Sequence, residues 1–203
     1  MPKILIVLIF LLGFFTTISA RDMQHENAVK IAQLIHDAKS AELIESPSGD
    51  WIAFVKKSNY IIPSDCFYFS AKGDRADEVW IINTKKMNKK LLVEPHFSCK
   101  EVFKTIIDPH NLQFSPDSKT LYFEASAWVT SGAVHAVDVD GKHLRFVTDG
   151  SELRIVQSGP YRGDLIVNQH RYRFKGETPL GSYDWDWLFT PEGKQIKLYK
   201  KRN

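Results

Sequence analysis

The chain has 203 residues, of which 43% are hydrophobic and 25% are charged, and its formal net charge is +3 at pH 7. These proportions are typical of a folded domain, and the length suits one domain with a sizeable core. A charge so close to balance argues against a general role in binding polyanions, so nucleic acid is not expected as a partner.

The first 20 residues have the pattern of a bacterial secretory signal peptide. Lys3 supplies a positive charge, an almost uninterrupted apolar run covers 4–15, and a small residue, Ala20, ends the segment. We expect cleavage between Ala20 and Arg21. The apolar run is shorter than the roughly 20 residues that a membrane span needs, so no stable insertion is expected after cleavage. The mature protein is therefore predicted to be periplasmic or secreted.

Residues 21–41 form a separate N-terminal segment for which the sequence predicts a helix. Its apolar residues recur at the i, i+3, i+4 spacing of a single helical stripe; they are Ala28, Ile31, Leu34, Ile35 and Ala38. A helix with one apolar stripe is expected to pack against the rest of the protein, the domain 42–203.

Three tandem repeats of short strands fill this domain, at about 42–93, 111–148 and 152–199. Each contains apolar runs that alternate with period two and are separated by Pro, Asp, Asn or Gly, which is typical of an antiparallel meander. Equivalent turn residues of the three repeats are 53 and 52 residues apart, a regularity that supports three units; these residues are Asn88, Gly141 and Gly193.

The second repeat, with Phe-Ser-Pro-Asp-Ser-Lys-Thr-Leu-Tyr-Phe at 114–123 and Asp-Gly-Lys at 140–142, resembles the TolB-type β-propeller repeat. The first repeat carries a similar motif, Ser-Pro-Ser-Gly-Asp-Trp-Ile-Ala-Phe, at 46–54, and the third is more diverged. The resemblance covers 42–199. It implies an all-β fold of three tandem four-stranded antiparallel propeller-type blades, a partial or small propeller, with a short N-terminal helix.

In TolB the propeller is a periplasmic platform for protein interactions. The resemblance therefore implies an exported, non-catalytic binding or scaffold protein with a protein partner in the cell envelope. No cofactor is implied.

Extra residues between the second and third strands single out one side of the predicted propeller. The distance along the chain from second strand to closing turn is 36 residues in the first repeat, 20 in the second and 28 in the third, for the pairs 52–88, 121–141 and 165–193. Equivalent hairpins of a propeller lie on one side, so this side is the predicted binding surface. His170, Arg171 and Tyr172 lie in the third-repeat insertion.

Three blades are too few to close a usual ring, because closed propellers have four to eight. Either the chain forms an open wedge capped by the N-terminal helix, or two chains form a homodimer in which six blades close one ring.

Cys66 and Cys99 are the only cysteines. An even pair in an exported chain predicts a disulfide; the alternative is two thiols too far apart to bond.

Catalytic motifs with established spacing are absent from the sequence, and no metal site is predicted, so the chain is not expected to be an enzyme. The unusual run 183–187 places Tyr183, Trp185 and Trp187 on one face of a strand, with Asp184 and Asp186 on the other. Two alternatives to protein binding follow. The aromatic residues are suited to a glycan or small ligand, and Asp184, Asp186 or His170 are suited to an envelope hydrolase.

Overall fold

The computed structural model describes residues 26–38, 43–63, 73–128 and 131–202. The predicted signal peptide, its cleavage site at Ala20 and Arg21, and Cys66 lie outside these residues. The Cys66–Cys99 disulfide therefore stays a prediction. Among the described residues, none of the helices is long and apolar enough to span a membrane.

The predicted fold class is confirmed: twelve described strands form three four-stranded antiparallel sheets, here called blades, and a short helix precedes them. In each blade the strands pair in sequence order. Blade 1 contains β1 (Leu43–Glu45), β2 (Trp51–Ile61), β3 (Arg75–Asn83) and β4 (Asn88–Val93). Blade 2 contains β5 (His110–Phe114), β6 (Thr120–Trp128), β7 (Ser131–Asp138) and β8 (Arg145–Asp149). Blade 3 contains β9 (Ser151–Ile155), β10 (Leu165–Lys175), β11 (Thr178–Phe189) and β12 (Gln195–Lys200).

The blades stack face to face, and apolar side chains fill the two spaces between them. Between blades 1 and 2, Val55 and Ile81 pack with Phe123. Between blades 2 and 3, Val134 packs with Val167. Since β5 contacts both β1 and β9, the first strands of the blades lie together at the inner edge of the stack, and β4, β8 and β12 lie at its outer edge.

The turns that recur in the sequence also connect neighbouring blades. Ser118, which stands where the TolB-type motif usually has Gly, adopts a positive φ of 62° and accepts a hydrogen bond from the Ser48 amide at 3.0 Å. Gly193 has a φ of 88°, and a Cβ there would lie 2.0 Å from the carbonyl oxygen of Val147 in blade 2. Glycine is therefore required at 193 both by backbone conformation and by close packing.

A buried carboxylate joins blades 2 and 3 near the inner edge. Glu124 accepts hydrogen bonds from the Leu153 amide at 2.7 Å and from Asn111 Nδ2 at 2.5 Å, and its Oε2 lies 3.7 Å from His110 Nε2. Burial opposes ionisation of Glu124, but these partners outweigh it and hold its pKa below the usual value. The interaction with Glu124 raises the pKa of His110 to about 9, so both groups are charged at neutral pH.

The outer face of blade 1 is apolar and is covered by helix α1, described over 26–34. Buried Ile52, Phe54 and Ile82 form the floor. The predicted helical stripe packs on it with residues that α1 and the turn after it supply, namely Ile31, Leu34, Ile35 and Ala38. The Lys89 ammonium also donates to the Leu34 carbonyl at 3.0 Å, so this end of the stack is capped.

The insertion of the third repeat does not form a separate loop. Its residues lengthen β10 and β11 to 11 and 12 residues, against 9 and 8 for β6 and β7. In His170–Lys175 aromatic rings alternate with basic side chains, a period of two that is typical of a strand. Part of the first-repeat insertion, 64–72, lies outside the described residues.

Candidate functional site

Strands β10 and β11 extend beyond the rest of blade 3 as a two-stranded arm, residues 170–184. The pairing of β9 with β10 reaches only to Asn168, and the pairing of β12 with β11 reaches only to Asp186. Beyond these points β10 and β11 pair with each other, with His170 opposite Asp184 and Tyr172 opposite Ser182. At about 3.4 Å per residue, the arm projects roughly 20 Å.

One face of the arm and its base is a ladder of aromatic rings and cations. Tyr183, Trp185 and Trp187 follow one another along β11, with ring centroids 4.1 and 6.5 Å apart. The Arg171 guanidinium lies 4.0 Å from the Trp187 ring, and that of Arg173 lies 5.1 and 5.7 Å from the rings of Tyr183 and Trp185. These contacts stabilise a hairpin that would otherwise be marginal.

The opposite face carries the predicted carboxylates, and Asp186 is fully engaged there. Its side chain is buried and contacts Arg154 Nη2 at 2.6 Å, Arg202 Nη2 at 2.8 Å and Asn168 Nδ2 at 3.1 Å. Burial opposes ionisation, but the hydrogen bonds from Asn168 and Arg154 and the charges of both arginines hold the pKa of Asp186 below its usual value. Glu152 binds Arg202 in turn, at 2.6 Å. We call this group the Asp186 network.

Asp184 and His170 form a second pair further along the same face. The Nδ1 atom of His170 lies 2.9 Å from Asp184 Oδ1, and the His170 ring meets Tyr172 edge-on with centroids 4.9 Å apart. The Asp184 carboxylate is largely exposed. The pair therefore fixes His170 across the two strands of the arm.

The end of the arm exposes large apolar side chains. Tyr172 is 57% exposed, and Phe174 and Leu180 are both 60% exposed. The Tyr172 and Phe174 rings lie side by side, with centroids 6.5 Å apart. A bulge at Arg173 and Phe174 shifts the pairing near the tip.

All eight predicted site residues thus lie on one hairpin, divided between its two faces. Sequence reasoning did not identify Arg154, Asn168 and Arg202, which engage Asp186. Arg154 is 32 residues away in the sequence and comes from another strand, so no local pattern indicates it. Within the described part of the chain, no group of three or more His, Cys, Asp or Glu side chains is arranged to hold a metal ion.

No protein-family model matches the sequence, and no curated protein is significantly similar to it. Solved structures do show the same fold. Dipeptidyl peptidase 4 of Porphyromonas gingivalis aligns over 80% of this chain and 24% of its own, with 10% identity and a TM-score of 0.53. The β-propeller domain of the trilobed protease of Pyrococcus furiosus aligns over 81% and 44%, with 14% identity and a TM-score of 0.49. TolB of Acinetobacter baumannii aligns over 79% and 32%, with 16% identity and a TM-score of 0.42.

The three sheets are blades of the β-propeller type. The predicted resemblance is therefore confirmed at the level of the fold. The chain spans from about a quarter to less than half of the length of these structures. At identities this low the likeness concerns the fold alone.

Proposed function

We propose that this TolB-like protein is an exported, non-catalytic interaction protein whose β10–β11 arm binds a protein partner in the cell envelope. The observation that carries the proposal is the exposure of Tyr172, Phe174 and Leu180 together at the end of the arm. Aromatic residues on a pre-organised element dominate many protein interfaces, because little side-chain entropy is lost on binding.

The ladder and the His170–Asp184 pair support this role by holding the arm in one conformation. Arg171 and Arg173 cover the aromatic rings of β11 on one face, and the His170–Asp184 bond crosses the arm on the other. A hairpin held on both faces presents its tip without a large ordering cost on association.

The two alternative functions fit the geometry less well. A glycoside hydrolase uses a pair of carboxyl groups that both act at the scissile bond, whereas Asp186 is buried and bound by two arginines, which leaves Asp184 as a single exposed carboxylate. Glycan binding needs open aromatic faces, whereas Trp185 and Trp187 each lie beside a cation.

The faces at the two ends of the stack favour the open wedge over the homodimeric six-bladed ring. A second copy would have to displace α1 or remove water from around the Asp186 network. We also propose that export places the mature chain in an oxidising compartment, where Cys66 and Cys99 bond. Light scattering under oxidising and reducing conditions tests the wedge, which predicts the mass of a monomer. Mass spectrometry tests whether Cys66 and Cys99 are bonded.

Site-specific photo-cross-linking tests the arm. A benzophenone amino acid is placed at Phe174 and, as a matched control, at Tyr199, which is on β12 of the same blade and 52% exposed. In cells, position 174 should give one discrete product with another envelope protein, and position 199 should not. The Tyr172→Ser, Phe174→Ser double variant should then lose that partner in co-purification and keep its melting temperature. Identical products at both positions, or a partner retained by the double variant, would contradict the proposal.

A further inference from the structure

The arm of blade 3 has two long edges beside which no described strand lies. On the inner side, the pairing of β9 with β10 ends at Asn168. On the outer side, the pairing of β12 with β11 ends at Asp186. Beyond these residues, the main-chain amide and carbonyl groups that point away from the arm are left to solvent, as at any edge of a sheet, and an edge of this kind is suited to pairing with another chain.

The outer edge, that of β11, is interrupted at three neighbouring positions. Pro179 has no amide hydrogen, and Gly181 has a φ of 104°, which departs from the conformation of a regular strand. Leu180, between them, is the extra residue of the bulge, because the pairing with β10 skips it. Proline, glycine and bulges are the features by which natural sheets prevent pairing at an edge. A further strand is therefore not expected on this side.

The inner edge, that of β10, is regular. Neither Pro nor Gly occurs in this strand, and every residue of it from 172 onward is exposed. The rings of Tyr172 and Phe174 lie together on one face. Three cations alternate with them on the other face; these are Arg171, Arg173 and Lys175. The free main-chain groups of β10 therefore lie between an aromatic face and a cationic face.

The three cations form no ion pair with a carboxylate of the described residues. Arg171 Nη2 lies 2.5 Å from Gln195 Oε1, which is neutral, and the guanidinium of Arg173 lies against the rings of Tyr183 and Trp185. A ring contact leaves the positive charge of a guanidinium in place. The carboxylates of β11 are engaged on the opposite face. The cationic face of β10 therefore favours an anionic neighbour.

This charge pattern also selects among the strands that can pair with β10. A second copy of this chain is disfavoured, because two β10 edges would bring like charges opposite each other. A strand with an acidic side chain at every second position would place each carboxylate beside a cation. Its intervening side chains would then lie beside the aromatic rings, so they should be apolar.

We propose that the partner binds the arm by strand addition, through an extended segment in which acidic and apolar residues alternate and which pairs with the free edge of β10 at 170–175. The acidic side chains lie beside Arg171, Arg173 and Lys175, and the apolar ones lie beside Tyr172 and Phe174. Main-chain hydrogen bonds supply affinity, and the alternating side chains supply specificity. The inference rests on the proposed function of the arm and adds the chemistry of the segment that it binds.

Short peptides titrated into the full chain test the two requirements separately. The probe is acetyl-Val-Glu-Val-Glu-Val-Glu-Val-amide. A second peptide has Lys in place of Glu, which reverses the charge. A third keeps the side chains of the probe but has its main-chain nitrogens methylated, which removes the hydrogen-bond donors. Calorimetry should show saturable binding of the probe, and binding weaker by about tenfold or more for the other two peptides.

Hydrogen exchange followed by NMR locates the added strand. Every second amide of the arm in β10 already bonds to β11, so the probe should slow exchange about tenfold or more at the alternate amides of 171–175 that point outward. The amides of 178–184 in β11 should exchange as before.

A charge-removing variant tests the position of the acidic side chains. Lys175→Gln should weaken binding of the probe about threefold. Lys119→Gln is the matched control, because the Lys119 side chain is 81% exposed on the turn before β6 of blade 2, and it should bind the probe normally.

The inference is overturned if the probe does not bind saturably, if the methylated peptide binds equally well, or if the new protection appears in β11. Protection of β10 that rises with protein concentration in the absence of peptide would identify a second copy as the occupant and would also overturn it. Cross-linking at Phe174 separates the two proposals. A discrete cross-linked partner without peptide binding would reject strand addition alone, whereas peptide binding without such a partner would support strand addition and contradict the proposed envelope partner.

Discussion

Blade 1 and blade 3 present faces of opposite character to the outside of the stack. On blade 1, Ile52, Phe54 and Ile82 are covered by α1. On blade 3, the corresponding space contains Asp186 and Asn168, both buried, with Arg154 and Arg202 around the carboxylate. The outer face of blade 1 is apolar and is covered by α1, whereas that of blade 3 combines the buried pair Ile166 and Leu188 with a polar network around Asp186.

The difference shows two solutions to one physical problem. A propeller blade buries its faces only against neighbours, so a blade without a neighbour needs a cover or a polar surface. A covering helix contributes by removing apolar area from water, whereas an ion network depends on every partner being present. The two ends should therefore respond differently to truncation, acid and loss of charge.

The largest effect is expected from truncation of the apolar end. Phe54→Ala removes a fully buried ring between blade 1 and α1, and should lower the free energy of unfolding by about 3–5 kcal/mol in urea denaturation. Hydrogen exchange should show loss of protection at 26–38, while the arm of blade 3 keeps its protection. Phe54→Leu is the control and should cost less than about 1.5 kcal/mol. An unchanged helix in Phe54→Ala would show that the floor residues do not hold it.

Mild acid should first destabilise the whole protein through His135, which is buried. His135 has its pKa lowered from 6.5 to about 4, so between these values the unfolded chain takes up a proton that the folded chain does not. Stability should fall by about 3 kcal/mol across this window, equally at both ends. The His135→Phe variant should lack this fall.

Below this window the polar end should weaken more than the apolar end. The pKa of Asp186 is held below its usual value by its hydrogen bonds and by the nearby arginines, against the effect of burial. Its contribution is therefore complete above the ordinary pKa of about 4 and is lost as the pH falls through the lowered value. Hydrogen exchange should accelerate in β10–β12 relative to β2–β3. Equal acceleration would show that Asp186 does not stabilise blade 3 specifically.

Removal of one charge at neutral pH gives a smaller, local effect. Asp186→Asn leaves Arg154 and Arg202 without their shared anion and should cost about 2–3 kcal/mol. Asp184→Asn is a matched control on the same strand, because the Asp184 carboxylate is 58% exposed, and it should change stability by less than about 0.5 kcal/mol. Equal losses in the two variants would contradict the assignment of Asp186 as the centre of the network.

The strand pattern predicts much of this comparison, but not the partners of Asp186. Alternation in the run 183–187 predicts that the two carboxylates share a face, and the structure places them so. The sequence presented Asp186 as a candidate hydrolase residue, whereas in the structure it is a buried ion-pair residue. Its partners come from β9 and from Arg202 after β12, and local periodicity carries no information about either.

The apolar end was more accessible to sequence reasoning. The stripe of Ile31, Leu34 and Ile35 has a helical period, and the floor residues have a strand period. Each of the two apolar surfaces can therefore be predicted from its own stretch of sequence. The insertion of the third repeat was less accessible, because extra residues between two strands specify a longer connection and not whether that connection pairs. Here β10 and β11 pair as far as Lys175 and Thr178, and in β10 the rings of His170, Tyr172 and Phe174 alternate with basic side chains.

The smallest effect is expected at the surface of the apolar end. Leu34 of α1 is half-buried against the floor of blade 1, so Leu34→Ala should cost about 1 kcal/mol. Val29→Ala, at a position of α1 that is 43% exposed, should be nearly neutral. Since the Lys89 bond goes to the main-chain carbonyl of residue 34, the substitution leaves that contact in place and isolates the apolar one. If α1 is a cover for blade 1, hydrogen exchange in Leu34→Ala should quicken both in the helix and in β2, which lies beneath it. Faster exchange in the helix alone would mean that β2 is protected by its own sheet, and that the apolar end resembles the polar end more closely than the packing indicates.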